Sequence, residues 1–241
     1  MGGPPVTAPP VPTARDIEVW SIPLRQPPRT VDRLRAVLDP HEARRARGDP
    51  RYAVAHAATR QILAARLGRP AHTLRRTLGP NGKPRLTGAG ARLRWNLSTG
   101  DGWALLAVLN PDTGPSGTDV GVDVQRTAPE AAALRLSRRY YPEAEAEQIR
   151  RAQGRAGAAG AAYTWMWACK EAYVKAFGSR LTQGLRTCAP PPGSAGLMRG
   201  PLGECWIAAC PADGTDYRAA VALTGPVPPQ PLPRLWAPDA I

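Results

Sequence analysis

The stretch Trp165-Met-Trp-Ala-Cys-Lys-Glu-Ala-Tyr-Val-Lys-Ala-Phe-Gly178 decides the fold of the C-terminal half, because it predicts a long helix over 158–177. One stripe of that helix, at spacings of three and four residues, carries Trp167, Lys170, Glu171, Val174 and Lys175. Glu171 and Lys175 form an i, i+4 pair in the favourable order. The pattern fits either a surface ion pair beside a buried Trp or a functional pair.

Lysine is rare in this chain: among the 32 Lys and Arg residues, only Lys83, Lys170 and Lys175 are lysines. The Arg- and Ala-rich composition is typical of a GC-rich genome, in which Arg replaces Lys wherever Arg serves. A guanidinium is planar, bulky and permanently charged, so it does not replace a compact ammonium at every site. The three lysines are therefore candidates for functional positions, and two of them lie on the predicted helix.

Upstream of this helix, Gly121-Val-Asp-Val-Gln125 predicts a strand with Asp123 and Gln125 on one face and two valines on the other. An Asp in an apolar strand is costly unless it is paired or bound to a cation. Two oxygen ligands on one face suit a hard cation such as Mg²⁺, with Glu171 as a further carboxylate donor. A capped or solvent-facing Asp123 is the alternative.

Two loops in the N-terminal half offer donors for phosphate. Lys83 lies in the turn-rich segment 79–84, and Ser98 and Thr99 lie in the loop 98–102 between two predicted strands. Hydroxyls and glycines in a hairpin loop are also ordinary turn chemistry. These loops therefore indicate a phosphate site only in combination with the other motifs.

The whole chain predicts an α+β fold of two similar-sized halves, because helices are inserted between paired strands. We expect a Pro-rich leader at 1–14, an N-terminal subdomain at 15–112, a C-terminal subdomain at 113–224 and a Pro-rich tail at 225–241. The predicted strands are 16–24, 93–97, 103–109, 120–124, 205–209 and 217–223. The predicted helices are 31–38, 51–67, 129–137, 142–153 and 158–177, and 190–203 is predicted to be a loop.

Composition limits the function classes. The formal net charge of +13 favours anionic partners, but no nucleic-acid-binding motif accompanies it. The longest apolar run, 103–109, is too short to span a membrane, and the N-terminus lacks a signal-peptide pattern. The four cysteines show no zinc-ligand spacing. We expect a cytoplasmic protein with reduced thiols that binds neither nucleic acid nor membrane.

Together the motifs resemble those of the surfactin-type 4′-phosphopantetheinyl transferases over about residues 15–225. That family has a Gly-Lys-Pro loop, an Asn-Leu-Ser-His loop, a Gly-(Val/Ile)-Asp-(Val/Ile)-Glu strand and a Trp-x-x-Lys-Glu-(Ala/Ser)-x-x-Lys helix. This chain has the same order, and all three lysines fall on lysine positions of the family. The corresponding segments are Gly82-Lys83-Pro84, Asn96-Leu97-Ser98-Thr99, Gly121–Gln125 and Trp167–Lys175.

The resemblance implies transfer of the phosphopantetheine arm of coenzyme A to a serine of an apo acyl or peptidyl carrier protein, with Mg²⁺ as cofactor and adenosine 3′,5′-bisphosphate as by-product. It also implies a monomeric pseudo-dimer of two α+β halves with the active site in the cleft between them. Basic surfaces would steer the acidic carrier protein. The metal ligands implied are Asp123, Glu171 and Gln125, and Glu171 is also the candidate base. Coenzyme A would contact Lys83, Arg51, Ser98, Thr99, Lys170 and Lys175, and the cluster Arg44, Arg45 and Arg47 lies near basic positions of relatives.

Two positions depart from the family pattern. Thr99 replaces the usual His, which removes a charged phosphate contact, and Gln125 replaces an acidic metal ligand of many members. An amide oxygen or a water can still fill the metal shell. The alternative is a weak or inactive relative that binds coenzyme A or carrier protein without transferring the arm.

Overall fold

The computed structural model describes residues 15–109, 117–210 and 216–238. The strands are β1 (Arg15–Pro23), β2 (Arg76–Leu78), β3 (Pro84–Leu86), β4 (Arg94–Thr99), β5 (Trp103–Leu109), β6 (Val120–Arg126), β7 (Gly196–Gly200), β8 (Gly203–Ala209), β9 (Tyr217–Thr224) and β10 (Pro229–Leu235). The helices are α1 (Pro28–Arg35), α2 (Pro40–Arg45), α3 (Pro50–Leu67), α4 (Glu130–Tyr140), α5 (Glu143–Arg151) and α6 (Ala158–Ala176). The mixture confirms the α+β class, whereas the pseudo-dimer of similar halves stays a prediction.

The first sheet has the strand order β10–β1–β5–β4 and packs against α3. The start of α3 is fixed by the side chain of Asp49, which accepts a hydrogen bond from the N–H of Tyr52, and by Pro50 in the first turn. It ends at Gly68, whose φ of 59° lies in the left-handed region. The sequence prediction of this helix and of its end is confirmed.

The second sheet has the strand order β6–β9–β8–β7 and packs against α6. Gly121 allows α6 to lie close to β6, because a Cβ at this position would overlap the carbonyl oxygen of Ala172. Gly160 has the same function at the other end of α6, where a Cβ would overlap the carbonyl oxygen of Ala128. The glycine of the Gly121–Gln125 motif is therefore a packing requirement.

The two sheets face each other across a shared apolar core, and the helices cover their outer faces. Successive side chains of a strand point to opposite faces of the sheet, so alternate residues belong to the central core or to the core beneath the helices. On β6, Val120, Val122 and Val124 face the core between the sheets, which leaves Asp123 on the α6 side. The remaining members of the central core are Ile17, Val19, Leu105, Ala107, Leu109, Ala208, Cys210, Ala219, Val221 and Leu223.

The predicted tail at 225–241 is partly wrong, because β10 pairs in parallel with β1. Prolines 229, 231 and 233 alternate with the residues that bond to β1, so their missing N–H groups lie on the free edge of the sheet. Trp236 follows and is buried in the core of the first half. The free edge lacks donors at every proline, which discourages pairing with another strand.

Two further elements differ from the sequence predictions. The predicted loop 190–203 contains β7. Arg44 and Arg45 are the last two residues of an unpredicted helix, α2, which Arg47 follows, and Asp39 and Glu42 form a capping box at the start of that helix. The predicted leader 1–14 and the domain boundary at 112/113 lie outside the described residues.

Within the described ranges, no helix combines the length and apolar character that a membrane crossing requires.

Candidate active site

Asp123 on β6 is the centre of the candidate site and is only 1% exposed. Its Oδ1 accepts hydrogen bonds from the Ser98 hydroxyl at 2.7 Å and from Lys175 Nζ at 2.6 Å. Its Oδ2 accepts a hydrogen bond from the Gln125 amide at 2.9 Å. Lys175 Nζ also lies 3.1 Å from the Ser98 oxygen, so these three groups form one buried network across both halves.

Glu171 lies on α6, one turn before Lys175, and interacts with this network through its charge. Burial raises the pKa of Glu171 above its ordinary value of 4.5; the Lys175 ammonium opposes that shift, and the charge of Asp123 adds to it. Glu171 therefore lies close enough to Lys175 and Asp123 to be affected by both charges. We refer to Ser98, Asp123, Glu171 and Lys175 together as the Asp123 cluster.

The free edge of β6 is held by side chains of the first half rather than by another strand. The backbone N–H of Val122 donates to Asn96 Oδ1 at 2.9 Å, and the N–H of Val124 points to Ser98 Oγ at 3.4 Å. Lys83 Nζ donates to the carbonyl of Val120 at 2.9 Å. The backbone of Val120, Val122 and Val124 is therefore bonded to side chains of the first half. These bonds fix the position of Asp123 relative to β4.

Asn96 is a site residue that the sequence analysis did not single out. It is 6% exposed, it binds the edge of β6, and it also lines the main cavity described below. The sequence signal for this role was that Asn96 and Ser98 are two residues apart and so lie on the same side of a strand. The N–H groups of Val122 and Val124, to which they bond, are also two residues apart.

Lys83, which was predicted to contact the nucleotide end of coenzyme A, is buried between the two halves and is 9% exposed. Its Nζ lies 2.8 Å from Asp119 Oδ1 and donates to the carbonyls of Val120 and Ala176, both at 2.9 Å. Burial lowers the pKa of Lys83, and Asp119 opposes that shift. These three bonds use all three ammonium donors, so the contact with the nucleotide end of coenzyme A, which stays a prediction, would require Lys83 to exchange one of these partners.

Lys170 is likewise removed from the Asp123 cluster. Its side chain is completely buried, its Nζ lies 2.7 Å from Glu145 Oε2 and 4.7 Å from the centre of the Tyr141 ring, and it also donates to the carbonyl of Thr187. Consecutive helix residues differ by about 100° in direction, so Lys170 faces α5 whereas Glu171 faces β6. Of the two roles expected for Lys170, holding the helix or contacting phosphate, the bond to Glu145 is of the first kind, since it joins α6 to α5; the phosphate contact stays a prediction.

A cavity of about 660 Å³, here called the main cavity, opens beside the end of β4. Arg51 and Thr99, two of the residues predicted to bind coenzyme A, line it and are exposed. Arg45 lies over the Tyr52 ring at 5.2 Å, and Tyr52 stacks on His56 at 3.9 Å. Other lining residues are His41, Arg76, Leu78, Gly82, Trp95, Asn96 and Gly100.

A buried ionic network supports the wall of the main cavity. Glu42, only 2% exposed, binds Arg60 at 2.5 Å and Arg76 at 3.1 Å, and its other close partner is His56 at 3.4 Å. Burial alone would raise the pKa of Glu42, but hydrogen bonds from His56, Arg60 and the Asp39 backbone outweigh it and lower the pKa to about 2. Arg76 is therefore held in the cavity wall by a carboxylate that is charged at neutral pH.

The comparisons with known proteins match the part of the chain that carries Asp123 and α6. Residues 119–222 match the family model of the 4′-phosphopantetheinyl transferase superfamily. This range contains Asp123, Gln125, Glu171 and Lys175. The chain is also 26% identical, over 182 residues, to a protein of Synechocystis sp. provisionally named a 4′-phosphopantetheinyl transferase, covering 72% of this chain and 69% of that protein. An alignment of that length also includes part of the first half.

A divalent cation, as the phosphopantetheinyl transferase pattern implies, fits the chemistry of the Asp123 cluster. Across residues 15–109, 117–210 and 216–238, no group of three or more His, Cys, Asp or Glu side chains is placed to hold a metal. Mg²⁺, however, requires only one or two protein carboxylates. Asp123 has about four lone-pair positions and accepts three hydrogen bonds, of which Oδ2 accepts one, so Oδ2 can accept a further partner. Gln125 presents its amide nitrogen to Asp123, which makes it a support for that carboxylate.

Proposed function

We propose that this chain transfers the 4′-phosphopantetheine arm of coenzyme A to a serine hydroxyl of an apo acyl or peptidyl carrier protein and releases adenosine 3′,5′-bisphosphate. The observation that carries this proposal is the Asp123 cluster, in which two carboxylates and an ammonium from the matched region meet beside a cationic cavity. The superfamily match and the Synechocystis relative support the same reaction class.

The main cavity would bind the nucleotide end of coenzyme A. Arg51 and Arg76 present guanidinium groups, which bind phosphate with paired hydrogen bonds. Arg51 is exposed and has no ion-pair partner among the described residues, so it is available for the 3′-phosphate. Thr99 offers a neutral donor at the end of β4, between this cavity and the Asp123 cluster.

In the chemical step the carrier serine oxygen attacks the phosphorus that bears the pantetheine arm. The new serine–phosphorus bond forms as the bond from that phosphorus to the bridging oxygen breaks, and the bridging oxygen leaves with adenosine 3′,5′-bisphosphate. Glu171 would accept the serine proton, because its raised pKa makes it a stronger base than an ordinary carboxylate. Lys175 would donate to the diphosphate oxygens on which charge develops.

Asp123 and Glu171 would hold Mg²⁺, with Gln125 fixing the second oxygen of Asp123. When bound, the cation neutralises charge on the diphosphate and polarises its phosphorus–oxygen bonds. The residues of this chain supply orientation: Ser98 and Lys175 restrain Asp123, and the β6 edge contacts keep it opposite α6.

The test is the intact mass of apo carrier proteins of the fatty-acid, polyketide and peptide classes after incubation with the protein, coenzyme A and Mg²⁺. We expect a gain of one phosphopantetheine arm that disappears with EDTA and with the Asp123→Ala variant. If no carrier gains mass although coenzyme A or carrier protein binds, the chain is an inactive relative and the proposal is wrong.

A further inference from the structure

His56 lies on α3, one turn after Tyr52, and lines the main cavity. Its side chain is 19% exposed, so part of the ring is accessible from the cavity. Two contacts hold the ring: Nδ1 lies 3.4 Å from Glu42 Oε1, and the imidazole stacks on the Tyr52 ring with centroids 3.9 Å apart. The imidazole is therefore fixed in one orientation before a ligand binds.

The contact with Glu42 decides which ring nitrogen of His56 carries a proton. Despite its burial, Glu42 has a pKa of about 2, so it is a carboxylate at neutral pH and can only accept hydrogen bonds. The proton therefore lies on Nδ1, which faces Oε1. Nε2 has no hydrogen-bond partner in the part of the chain that the structure describes. It is a lone pair when the ring is neutral and a donor when the ring is protonated.

The ionic network behind His56 is already balanced in charge. Arg60 contacts Asp39 at 2.7 Å and Glu42 at 2.5 Å. Arg76 lies 3.6 Å and 3.1 Å from the same two carboxylates. Two cations thus offset two anions, so a proton on Nε2 adds a positive charge that nothing in this network compensates. An anion in the main cavity would compensate it and would receive a charge-assisted hydrogen bond in return.

The surroundings of His56 favour an anion even before the ring is protonated. Among the charged groups of this wall, four arginines stand against three carboxylates, and the remaining titratable groups are a histidine and a tyrosine. An excess of positive charge in a concave wall attracts anionic ligands. These groups are Asp39 before α2, His41, Glu42 and Arg45 of α2, Arg76 of β2, Asp49 before α3, and Arg51, Tyr52 and Arg60 of α3.

We infer that His56 binds a phosphate group at the nucleotide end of coenzyme A, through Nε2 of the protonated ring. This inference rests on the proposed function, which assigns the main cavity to that end. A phosphate oxygen accepts hydrogen bonds and has no proton to offer when ionised, so the contact requires a proton on Nε2. Binding is therefore linked to protonation of His56, and the affinity for coenzyme A falls as the pH rises and that proton is lost.

The test compares the Kd of coenzyme A for wild type and His56→Gln from pH 6 to pH 8.5, at fixed Mg²⁺ and ionic strength. Gln keeps an amide donor near Glu42 but carries no charge. The variant should bind about tenfold more weakly than wild type at pH 6 and within about twofold at pH 8.5. Titration of the ligand and of Glu171 is common to both proteins and cancels in this ratio.

His72→Gln is the matched control. His72 is exposed in the turn 71–73 after α3 and is outside the lining of the main cavity among the described residues. This variant should give a Kd ratio near one at every pH. A weakening by His56→Gln that is equal at pH 6 and pH 8.5 would mean that His56 only supports the wall. Equal affinity of wild type and His56→Gln at pH 6 would also overturn the inference.

A shortened ligand identifies the phosphate that His56 contacts. If 3′-dephospho-coenzyme A gives a ratio near one at pH 6, the contact is with the 3′-phosphate. If the ratio stays about tenfold, the contact is with the diphosphate, which both ligands carry.

Nuclear magnetic resonance of the wild-type imidazoles tests the same contact without a substitution. The chain has only three histidines, so their signals are readily assigned with the two Gln variants. Adding coenzyme A should raise the pH at which His56 loses its proton and leave that of His72 unchanged. Absence of a shift at His56, at saturating coenzyme A, would overturn the inference even if His56→Gln were unstable.

These binding measurements separate the inference from the proposed function. If wild type transfers nothing to any carrier protein but the pH-dependent Kd ratio is found, the proposed function is wrong and the His56 contact stands. If transfer occurs and the ratio is near one at every pH, the His56 contact is wrong and the function stands.

Discussion

Lys83 Nζ lies 2.8 Å from Asp119 Oδ1, and this buried ion pair joins the β2–β3 hairpin of the first half to the start of β6. The same ammonium donates to the Ala176 carbonyl at the C-terminus of α6, where a cation is favoured by the helix dipole. Asn81 adds a hydrogen bond to the Gly178 carbonyl at 3.0 Å. The hairpin that borders the main cavity is therefore anchored to β6 and to the end of α6, two of the three elements that carry the Asp123 cluster.

Replacing Lys83 by Met should test whether it anchors this hairpin or binds coenzyme A. We expect a loss of stability of about 3 kcal/mol, because Asp119 is left with a buried charge that only Arg85 partly compensates. The kcat should fall through displacement of the Asp123 cluster, while the KM for coenzyme A stays within about threefold of wild type.

The matched comparison for Lys83 is Arg51→Gln, which removes a cation that lines the main cavity. We expect about a tenfold rise in the KM for coenzyme A, with a smaller rise for 3′-dephospho-coenzyme A and an unchanged melting temperature. Steady-state kinetics and thermal unfolding on both variants check this. If Lys83→Met raises the KM for coenzyme A more than the KM for 3′-dephospho-coenzyme A, Lys83 binds the 3′-phosphate and the anchoring role is wrong.

The contrast between Lys83 and the Asp123 cluster shows what the sequence can predict. The alternating pattern of Gly121–Gln125 and the i, i+4 pair of α6 are local, so they placed Asp123, Glu171 and Lys175 on facing surfaces. Lys83 binds the carbonyls of Val120 and Ala176, and backbone carbonyls have no residue-specific signature. Its partners could therefore not be read from the sequence, and the family pattern suggested a ligand contact instead.

The strand β10 could not be predicted for a different reason. Its three prolines are compatible with a strand only because they all fall on the free edge of the sheet. Composition alone makes the same segment look like a tail. In contrast, the strands β5 and β6 were predicted because their apolar residues form continuous or alternating runs that require burial.

Asp123→Asn and Glu171→Gln should each lower the rate of transfer by about 100-fold or more without a change in side-chain size. The first removes a carboxylate of the proposed metal site, and the second removes both a carboxylate of that site and the proposed base. Both variants should keep the wild-type circular dichroism spectrum, since Asn and Gln retain hydrogen bonding to their neighbours. Intact-mass kinetics at several Mg²⁺ concentrations provide the measurement. Turnover close to wild type at ordinary Mg²⁺ in either variant would remove that residue from the proposed metal site.

Lys170→Met should destabilise the protein by about 3–5 kcal/mol, because Glu145 is 5% exposed and loses its cation. The double variant Lys170→Met/Glu145→Gln should recover much of that loss, since no uncompensated charge remains. Denaturant unfolding of the two variants checks the coupling. The KM for coenzyme A should be unchanged in the stable double variant, and an increase would support the phosphate contact of Lys170 instead.

Thr99→His should lower the KM for coenzyme A about threefold, because Thr99 is exposed at the main cavity and an imidazole adds a second donor and a partial charge. The gain should be larger at pH 6 than at pH 8, since the imidazole is more protonated at the lower pH. Thr99→Gln, which adds a neutral amide, is the control for size. An equal gain with Gln, or no gain with His, would show that charge at this position is not limiting.

Glu42→Gln should reveal how much the buried network beside the main cavity contributes to stability. The pKa of Glu42 is about 2 in the folded chain against an ordinary value of 4.5, so the unfolded chain binds more protons between these values. The carboxylate therefore stabilises the fold fully above about pH 4.5, by on the order of 3 kcal/mol, and loses this effect as the pH falls towards 2. Urea unfolding of wild type and Glu42→Gln at pH 7, 5, 4 and 3 should show the difference shrinking below pH 4.5. A difference that is constant over this range would mean that Arg60, Arg76 and His56 do not hold Glu42 in its charged form.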